Sequence, residues 1–219
     1  MSNGRLSELQ VRVLRALAGI EPPWTLSGGG ALALAHLKHR ATRDVDLFWH
    51  GRSLLLDLPE VVERRLTADG LGVARVQTAD SFCRLGACFG AETTVVDLVA
   101  TPVALAESPT QVDLDGRRIQ IDTMHEILVN KLCTLLSRSE VRDLLDIRAL
   151  LAAGGDLHRA LADAPLKDGG FSALTLAWVL RGQNLRAAAR AEKLTAEEEA
   201  DLLTYREELI DLLTAAGTP

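Results

Sequence analysis

A triplet of glycines followed by two aspartates is the feature that most restricts how this chain can fold. The triplet Gly28-Gly29-Gly30 lies between segment 24–27, which is typical of a short strand, and the Ala- and Leu-rich segment 31–37, which predicts a helix. Asp44 and Asp46 follow in a second predicted strand. Because alternate residues of a strand point to the same face, the two carboxylates project together, toward the glycine turn.

The glycines and the aspartates suggest a shared chemistry. Without a Cβ, a glycine turn lets a phosphate approach the backbone. The first N–H groups of the helix that follows are unpaired and lie at the positive end of its dipole, where anions bind. Aspartate oxygens are ligands that Mg²⁺ or Mn²⁺ prefers. Together these groups are the minimum equipment for nucleotidyl transfer, although the glycines alone would also fit an ordinary tight turn.

A third aspartate, Asp97, lies in the β-branched segment 93–99, which predicts another strand. A carboxylate among such apolar neighbours is costly to bury unless it binds a metal or pairs with a cation. Beside Asp44 and Asp46, it would complete a three-carboxylate site for one or two Mg²⁺ ions. From the residues alone, an ion pair between Asp97 and an arginine is the alternative, and both interpretations stay open.

The remainder of the first half predicts a helix at 7–17 and a mixed sheet. Turn signals at Gly90-Ala91 and Asp115-Gly116 each join two predicted strands. The predicted strands are 72–78, 82–89, 92–99, 111–114 and 117–121.

The second half predicts helices throughout. Apolar residues at helical spacing predict one helix through 127–135 and a second that begins at Ser139. Asp146 lies four residues after Arg142 and three after Asp143, where side chains on a helix can meet. From spacing alone, this is an ordinary ion-pair face on a helix surface.

Two separate motifs resemble the nucleotidyltransferase-like AbiEii/AbiGii toxin family, which belongs to the DNA polymerase β-like nucleotidyltransferase superfamily. The first is G-G-x-x-L at 28–32, followed by H-R-x-[ST]-x-D-x-D-L-F at 39–48. The second is K-L-x(5)-R-x(3)-R-D-x-x-D-[IL] at 131–147. Both motifs occur in the family's order.

The resemblance implies an α+β (mixed α/β) fold in two parts. Residues 1–122 would form a polymerase β-like catalytic lobe with a small mixed sheet, and residues 123–219 an all-helical lobe that completes the active-site cleft. Lys131 would contact phosphates, and Asp146 would be an orienting or base-like carboxylate. The catalytic group is therefore expected to be Asp44, Asp46, Asp97, Lys131 and Asp146, supported by Arg40, Arg142 and Asp143.

The nucleotide-binding group implied by the resemblance consists of Ser27, Gly28, Gly29, Gly30, Thr42 and Lys131. Many relatives have Ser or Thr where this chain has Gly30, so one hydroxyl donor to phosphate is missing. Ser27 or Thr42 could supply a hydroxyl instead. Thr42 could equally brace its own loop.

In function, the resemblance implies an enzyme that transfers nucleotides from an NTP and releases pyrophosphate. It would be the toxin of a toxin–antitoxin or phage-defence pair, with a separately encoded cognate antitoxin. Such toxins resemble enzymes that add nucleotides to the tRNA 3′ end, which inhibits translation. Two alternatives stay open: the same chemistry on an aminoglycoside-like small molecule or a protein hydroxyl, and a non-catalytic NTP-binding regulator.

The net charge of −6 argues against a protein that simply coats nucleic acid. Segment 191–219 holds eight acidic and two basic residues, which accounts for the whole excess. Local basic clusters at 38–40, 64–65, 117–118 and 181–190 could contact an RNA backbone, although solvated helix faces look the same. 

Cellular location can be predicted from three absences. The three cysteines lack metal-binding spacing, segment 1–5 lacks the features of a signal peptide, and no apolar run is long enough to span a membrane. We therefore expect a cytoplasmic protein without membrane contact.

Overall fold

The computed structural model describes residues 6–138 and 140–217. The chain divides into two compact units between Thr123 and Met124. In the described residues, the first unit holds a seven-stranded sheet with three α-helices, and the second holds six α-helices and no strand. The mixed α/β fold class is therefore confirmed. Segment 1–5 and Ser139, on which two of the predictions fall, lie outside the described residues.

The sheet of the first unit is mixed. Its strand order is β3-β4-β5-β2-β1-β7-β6. The β2–β5 and β1–β7 pairs are parallel, and the other neighbours are antiparallel. The strands are β1 Thr25–Ser27, β2 Asp44–His50, β3 Gly72–Ala79, β4 Phe82–Phe89, β5 Glu92–Thr101, β6 Thr110–Leu114 and β7 Arg117–Ile121.

Helices pack against this sheet through apolar side chains. The first-unit helices are α1 Glu8–Leu17, α2 Gly28–Ala31, which continues as a π-helical turn Leu32–His36, and α3 Leu58–Ala68. α1 starts with a capping box, in which Ser7 and Gln10 bond each other's backbone N–H groups. The unit's core includes the fully buried Val13, Leu47, Val62, Leu85 and Leu98.

The second unit is a helical assembly around Leu and Ile side chains. Its helices are α4 Met124–Ser137, α5 Val141–Ala152, α6 Leu157–Lys167, α7 Ala173–Gly182, α8 Leu185–Ala191 and α9 Ala196–Gly217. α4 packs against α5, α6 and α7, and α7 packs against α9. Leu128, Leu144 and Leu209 are fully buried between them. Within the described part of the chain, no helix combines the length and the apolar character needed to cross a membrane.

Candidate active site

The two aspartates of β2 lie on the more open face of the sheet. Burial alternates along β2, so that Val45 and Leu47 are fully buried while Asp44 and Asp46 are half-buried. This is the alternation that the D-x-D spacing predicts. The apolar side chains anchor the strand in the core, and the carboxylates project from its other side.

Four adjacent strands contribute one row of polar side chains. Asp46 pairs in register with Asp97 of β5 and with Ser27 of β1. Arg84 of β4 pairs with Asp97 from the other side. Neighbouring strands are about 4.8 Å apart, and side chains directly opposite each other share a face. Three of the predicted site residues are thus brought together, with Asp44 two positions from Asp46 on the same face.

The glycine triplet forms the first turn of α2, so the helix begins at Gly28 rather than at residue 31 as predicted. Gly28 has a φ of +56°, and a Cβ on it would lie 2.8 Å from Asp46 Oδ2. The glycine backbone therefore approaches the D-x-D carboxylate so closely that no side chain fits between them. The approach of a phosphate to this turn, which the sequence predicts, stays a prediction.

The other two glycines fit against neighbouring side chains. A Cβ at Gly29 would lie 2.9 Å from Thr42 Oγ1, and one at Gly30 would lie 2.9 Å from Leu26 Cδ1. Any side chain at position 30 would thus begin against an apolar core residue. Gly30 therefore allows α2 to pack closely on β1. This packing role of Gly30 is independent of any contact between its backbone and a phosphate.

Thr42 orients the first aspartate. Its Oγ1 donates toward Asp44, lying 3.0 Å from Oδ1 and 3.2 Å from the backbone oxygen. Gln10 of α1 donates to the Thr42 carbonyl at 3.2 Å. Of the two roles left open for Thr42, bracing the loop is the one that these contacts describe. Arg40 Nη1 donates to the carbonyl of Ala41 at 3.0 Å and so belongs to the same loop.

Asp97 forms a two-point ion pair with Arg84. Arg84 Nε donates to Asp97 Oδ1 at 2.8 Å, and Nη2 donates to Oδ2 at 2.6 Å. The hydrogen bonds that Arg84 donates to Asp97 raise the pKa of Arg84, and the charges of Asp97, Asp44 and Asp46 raise it further. The alternative of an Asp97–arginine pair is therefore the one present in the structure.

The donor chemistry for a divalent cation rests on the two aspartates of β2. Mg²⁺ is usually held by one or two carboxylates, with phosphate oxygens and waters as its other ligands. Asp44 and Asp46 would fit that pattern. Across residues 6–138 and 140–217, no group of three or more His, Cys, Asp or Glu side chains is placed to hold a metal ion. A bound ion would take its other ligands from waters and, when a nucleotide is present, from phosphate oxygens.

In the second unit, Lys131 is buried between two aspartates. Its Nζ lies 2.6 Å from Asp143 Oδ1 and 3.0 Å from Asp146 Oδ2. Burial lowers the pKa of Lys131, but the charges of Asp146 and Asp143 outweigh this effect and raise it overall. Arg138 Nε also donates to Asp143 Oδ2 at 2.8 Å. Lys131, Asp143 and Asp146 of the K-L-x(5)-R-x(3)-R-D-x-x-D motif thus form a buried charge cluster, which the exposed Arg138 contacts from outside. Arg142 lies apart from these contacts, 3.8 Å from Glu192.

The sequence of the chain was compared with profiles of known protein families. The sequence profile described as "Nucleotidyl transferase AbiEii toxin, Type IV TA system" matches residues 12–215. The chain belongs to the AbiEii toxin family. The match covers both motifs and confirms the resemblance and the prediction of a nucleotidyltransferase. Among curated proteins, no sequence is significantly similar to this chain.

Solved structures share the fold of this AbiEii protein. A nucleotidyltransferase candidate from H. pylori is 19% identical, with 97% of this chain and 96% of that chain covered and a TM-score of 0.56. JHP933 from Helicobacter pylori is 19% identical, with coverages of 96% and 95% and a TM-score of 0.52. The nucleotidyltransferase toxin MenT4 from Mycobacterium tuberculosis is 13% identical, with coverages of 96% and 91% and a TM-score of 0.51.

Arg84 is the one member of the polar row that the sequence analysis missed in this AbiEii protein. The predicted hairpin of strands 82–89 and 92–99 indicates this partner. With a two-residue turn at Gly90-Ala91, Phe89 pairs with Glu92, and counting back along both strands places Arg84 opposite Asp97. A register count would therefore have named the partner.

Proposed function

We propose that this AbiEii protein transfers nucleotides from an NTP to an RNA acceptor, such as the 3′ end of tRNA, in a Mg²⁺-dependent reaction that inhibits translation. The observation that carries the proposal is the approach of the Gly28 backbone to Asp46. It would bring a phosphate that contacts the glycine turn next to the carboxylate that holds the cation. Placing phosphate and cation side by side is the main requirement of phosphoryl-transfer catalysis.

Each site residue of the first unit would have a distinct role. Asp44 and Asp46 would hold the divalent cation, and Thr42 would keep Asp44 in position. A cation held there would neutralise charge on the triphosphate and on the leaving pyrophosphate. The acceptor hydroxyl would lose its proton to water as its oxygen attacks the α-phosphorus. The bond from that phosphorus to the oxygen that bridges to the β-phosphate would break, and pyrophosphate would leave with that oxygen. Positioning and charge neutralisation would supply most of the rate enhancement.

Lys131 and Asp146 are proposed as further catalytic groups, Lys131 as a phosphate contact and Asp146 as an orienting carboxylate. An ammonium group has three N–H donors, and the contacts to Asp143 and Asp146 use two of them. Within the described part of the chain, one donor of Lys131 is therefore left over for a phosphate oxygen. Asp143 would hold Lys131 in place, because it is itself held by Arg138.

An arginine-lined cavity supports an RNA acceptor. This arginine cavity, of about 940 Å³, lies in the first unit, and its charged and aromatic lining is Arg12, Arg15, Arg65, Arg117, Glu8, Asp69, Glu92 and Phe89. The side chains of Arg65 and Arg117 make no hydrogen bond or ion pair within the part of the chain that the structure describes. Phe89 is 54% exposed, and the Arg12 guanidinium lies 4.1 Å from its ring centroid. Arginines and exposed aromatic rings are the usual contacts to RNA backbone and unstacked bases.

The test uses the purified wild type and Asp46→Asn. Each protein is incubated with total tRNA, Mg²⁺ and each α-³²P-labelled NTP, and the products are resolved on a denaturing gel. Asp80→Asn is the matched control, since Asp80 is an exposed aspartate in the β3–β4 turn of the same sheet. We expect labelled tRNA from the wild type and Asp80→Asn, and none from Asp46→Asn. Label on protein or on a small molecule instead would contradict an RNA acceptor, and NTP binding without any transfer would indicate a regulator.

The family also suggests a cognate antitoxin. We propose that it is a separately encoded protein and that the toxin acts in the cytoplasm, in phage defence. Induced expression should then stop growth, with translation falling first. Asp46→Asn should be harmless at the same protein level.

A further inference from the structure

Arg84 uses only part of its hydrogen-bonding capacity on Asp97. A guanidinium has five N–H donors, and the pair with Asp97 engages one on Nε and one on Nη2. Nη1 has no hydrogen-bond partner among the residues that the structure describes. The Arg84 side chain is 40% exposed, whereas that of Asp97 is 8% exposed. One edge of the guanidinium is therefore fixed by Asp97, and the other is open to a ligand.

This open edge lies where a triphosphate is expected. Arg84 is in the same cross-strand row as Asp46, with only Asp97 between them. The Arg84 guanidinium carbon also lies 5.7 Å from the ring centroid of Phe82, which limits where the group can move. A planar guanidinium held in one orientation is well suited to phosphate oxygens.

Asp97 is poorly placed to hold a metal ion. Both of its oxygens accept short hydrogen bonds from Arg84, and little of its surface is exposed. A cation approaching Asp97 would meet the positive charge of Arg84 a few ångströms away. Breaking the pair would leave a charged carboxylate without its partner in a nearly closed position.

We propose that Arg84 binds the phosphates of the nucleotide and that Asp97 is the positioning residue for Arg84, not a ligand of the metal ion. The inference rests on the proposed function only in taking Asp44 and Asp46 as the residues that hold the cation. It replaces the three-carboxylate site expected from the sequence with two carboxylates and an arginine.

The first measurement is nucleotide binding without an acceptor. Equilibrium dialysis with each of the four labelled NTPs and Mg²⁺ compares the wild type with Arg84→Gln, Asp97→Asn and the double variant. We expect both single variants to weaken binding about tenfold or more, and the double variant to lose no more than Arg84→Gln alone. Arg75→Gln is the matched control, because Arg75 of β3 pairs with Glu60 and Glu63 instead of the aspartate row, and it should bind as the wild type does.

The second measurement is Mn²⁺ binding without nucleotide, followed by electron paramagnetic resonance. Asp46→Asn should lose Mn²⁺, whereas Asp97→Asn and Arg84→Gln should keep at least the wild-type affinity. If Asp97→Asn lost Mn²⁺ as Asp46→Asn does, Asp97 would be a metal ligand and the inference would be wrong. Wild-type NTP affinity in Arg84→Gln would also overturn it.

Arg84→Lys and the double variant keep the test decisive if a single substitution prevents folding. Arg84→Lys retains the charge and should bind NTP with an affinity between those of the wild type and Arg84→Gln. The double variant removes both charges together, so it avoids an unpaired buried carboxylate. Failure of the proposed function would give a different result. A wild type that binds no NTP would contradict both the proposed function and the role of Arg84. A wild type that binds NTP without labelling RNA would contradict only the RNA acceptor.

Discussion

A Cβ added to Gly28 would lie 2.8 Å from Oδ2 of Asp46, closer than real Cβ contacts come. The helix start and the D-x-D strand are therefore fitted to each other at this point. Any enlargement of residue 28 must displace the Asp46 carboxylate or the turn itself. In an active site, a displacement of about 1 Å can cost about a hundredfold in rate.

Gly28→Ala should therefore lower nucleotidyl transfer about a hundredfold, because the new methyl group displaces Asp46. The positive φ of +56° adds a backbone cost of about 1 kcal/mol. Gly90→Ala is the matched control, since Gly90 has a φ of +60° and open space around its Cβ position. Both variants should melt at similarly lowered temperatures, with activity lost only in Gly28→Ala. Equal activities would show that the close approach has no catalytic importance.

The local chemistry of the site could be predicted from single segments of the sequence, whereas the pairing of its charges requires the register between two strands. Strand alternation alone placed Asp44 and Asp46 on one face. Glycine's low helix propensity suggested a helix that starts after the triplet, but the fit against Asp46 and Leu26 overrides that preference. For Asp97, the choice between a metal and an arginine depends on strand register. That register is set by a hairpin turn some residues away in sequence.

Thr42→Val should lower transfer about tenfold and the free energy of unfolding by about 1 kcal/mol, because Asp44 Oδ1 loses its hydrogen bond. The change conserves shape and removes only the hydroxyl. Thr94→Val makes the same change at another buried threonine, whose Oγ1 bonds the Arg43 carbonyl at 3.4 Å. It should keep full transfer. The measurement is the steady-state transfer rate of both variants. If Thr42→Val and Thr94→Val lost the same fraction of this rate, the role of Thr42 would be purely structural.

RNA binding should depend on Arg65 and Arg117, the two arginines of the arginine cavity that have no partner among the described residues. Replacing Arg65 and Arg117 by Gln should weaken tRNA binding and lower the slope of log affinity against log salt by about one per lost phosphate contact. Arg64 and Arg118 are their sequence neighbours and do not line the cavity. The Arg64→Gln, Arg118→Gln double variant therefore makes the same charge change. Identical salt slopes for the two double variants would exclude the cavity as an RNA contact.

The buried network around Lys131 should make the stability of the protein pH-dependent in a defined direction. Burial raises the pKa of Asp143, but the charges of Lys131 and Arg138 outweigh it and lower the pKa overall. A lowered carboxyl pKa stabilises the folded state fully above the unfolded value of about 4, and this stabilisation is lost as the pH falls through the folded pKa. At neutral pH, Asp143→Asn should therefore cost about 3 kcal/mol of unfolding free energy, because it leaves part of the buried network unpaired.

The difference in unfolding free energy between the wild type and Asp143→Asn should stay constant from about pH 5 to pH 9 and shrink below about pH 4. Urea unfolding followed by circular dichroism measures the helices. The fluorescence of Trp24 and Trp49, both buried in the first unit, reports on the sheet separately once the exposed Trp178 of α7 is replaced by Phe in every variant. Asp201→Asn removes an exposed pair with Arg148 and should change little at any pH. If the loss of unfolding free energy in Asp143→Asn were as large below pH 4 as at neutral pH, packing and not charge would stabilise this part of the helical unit.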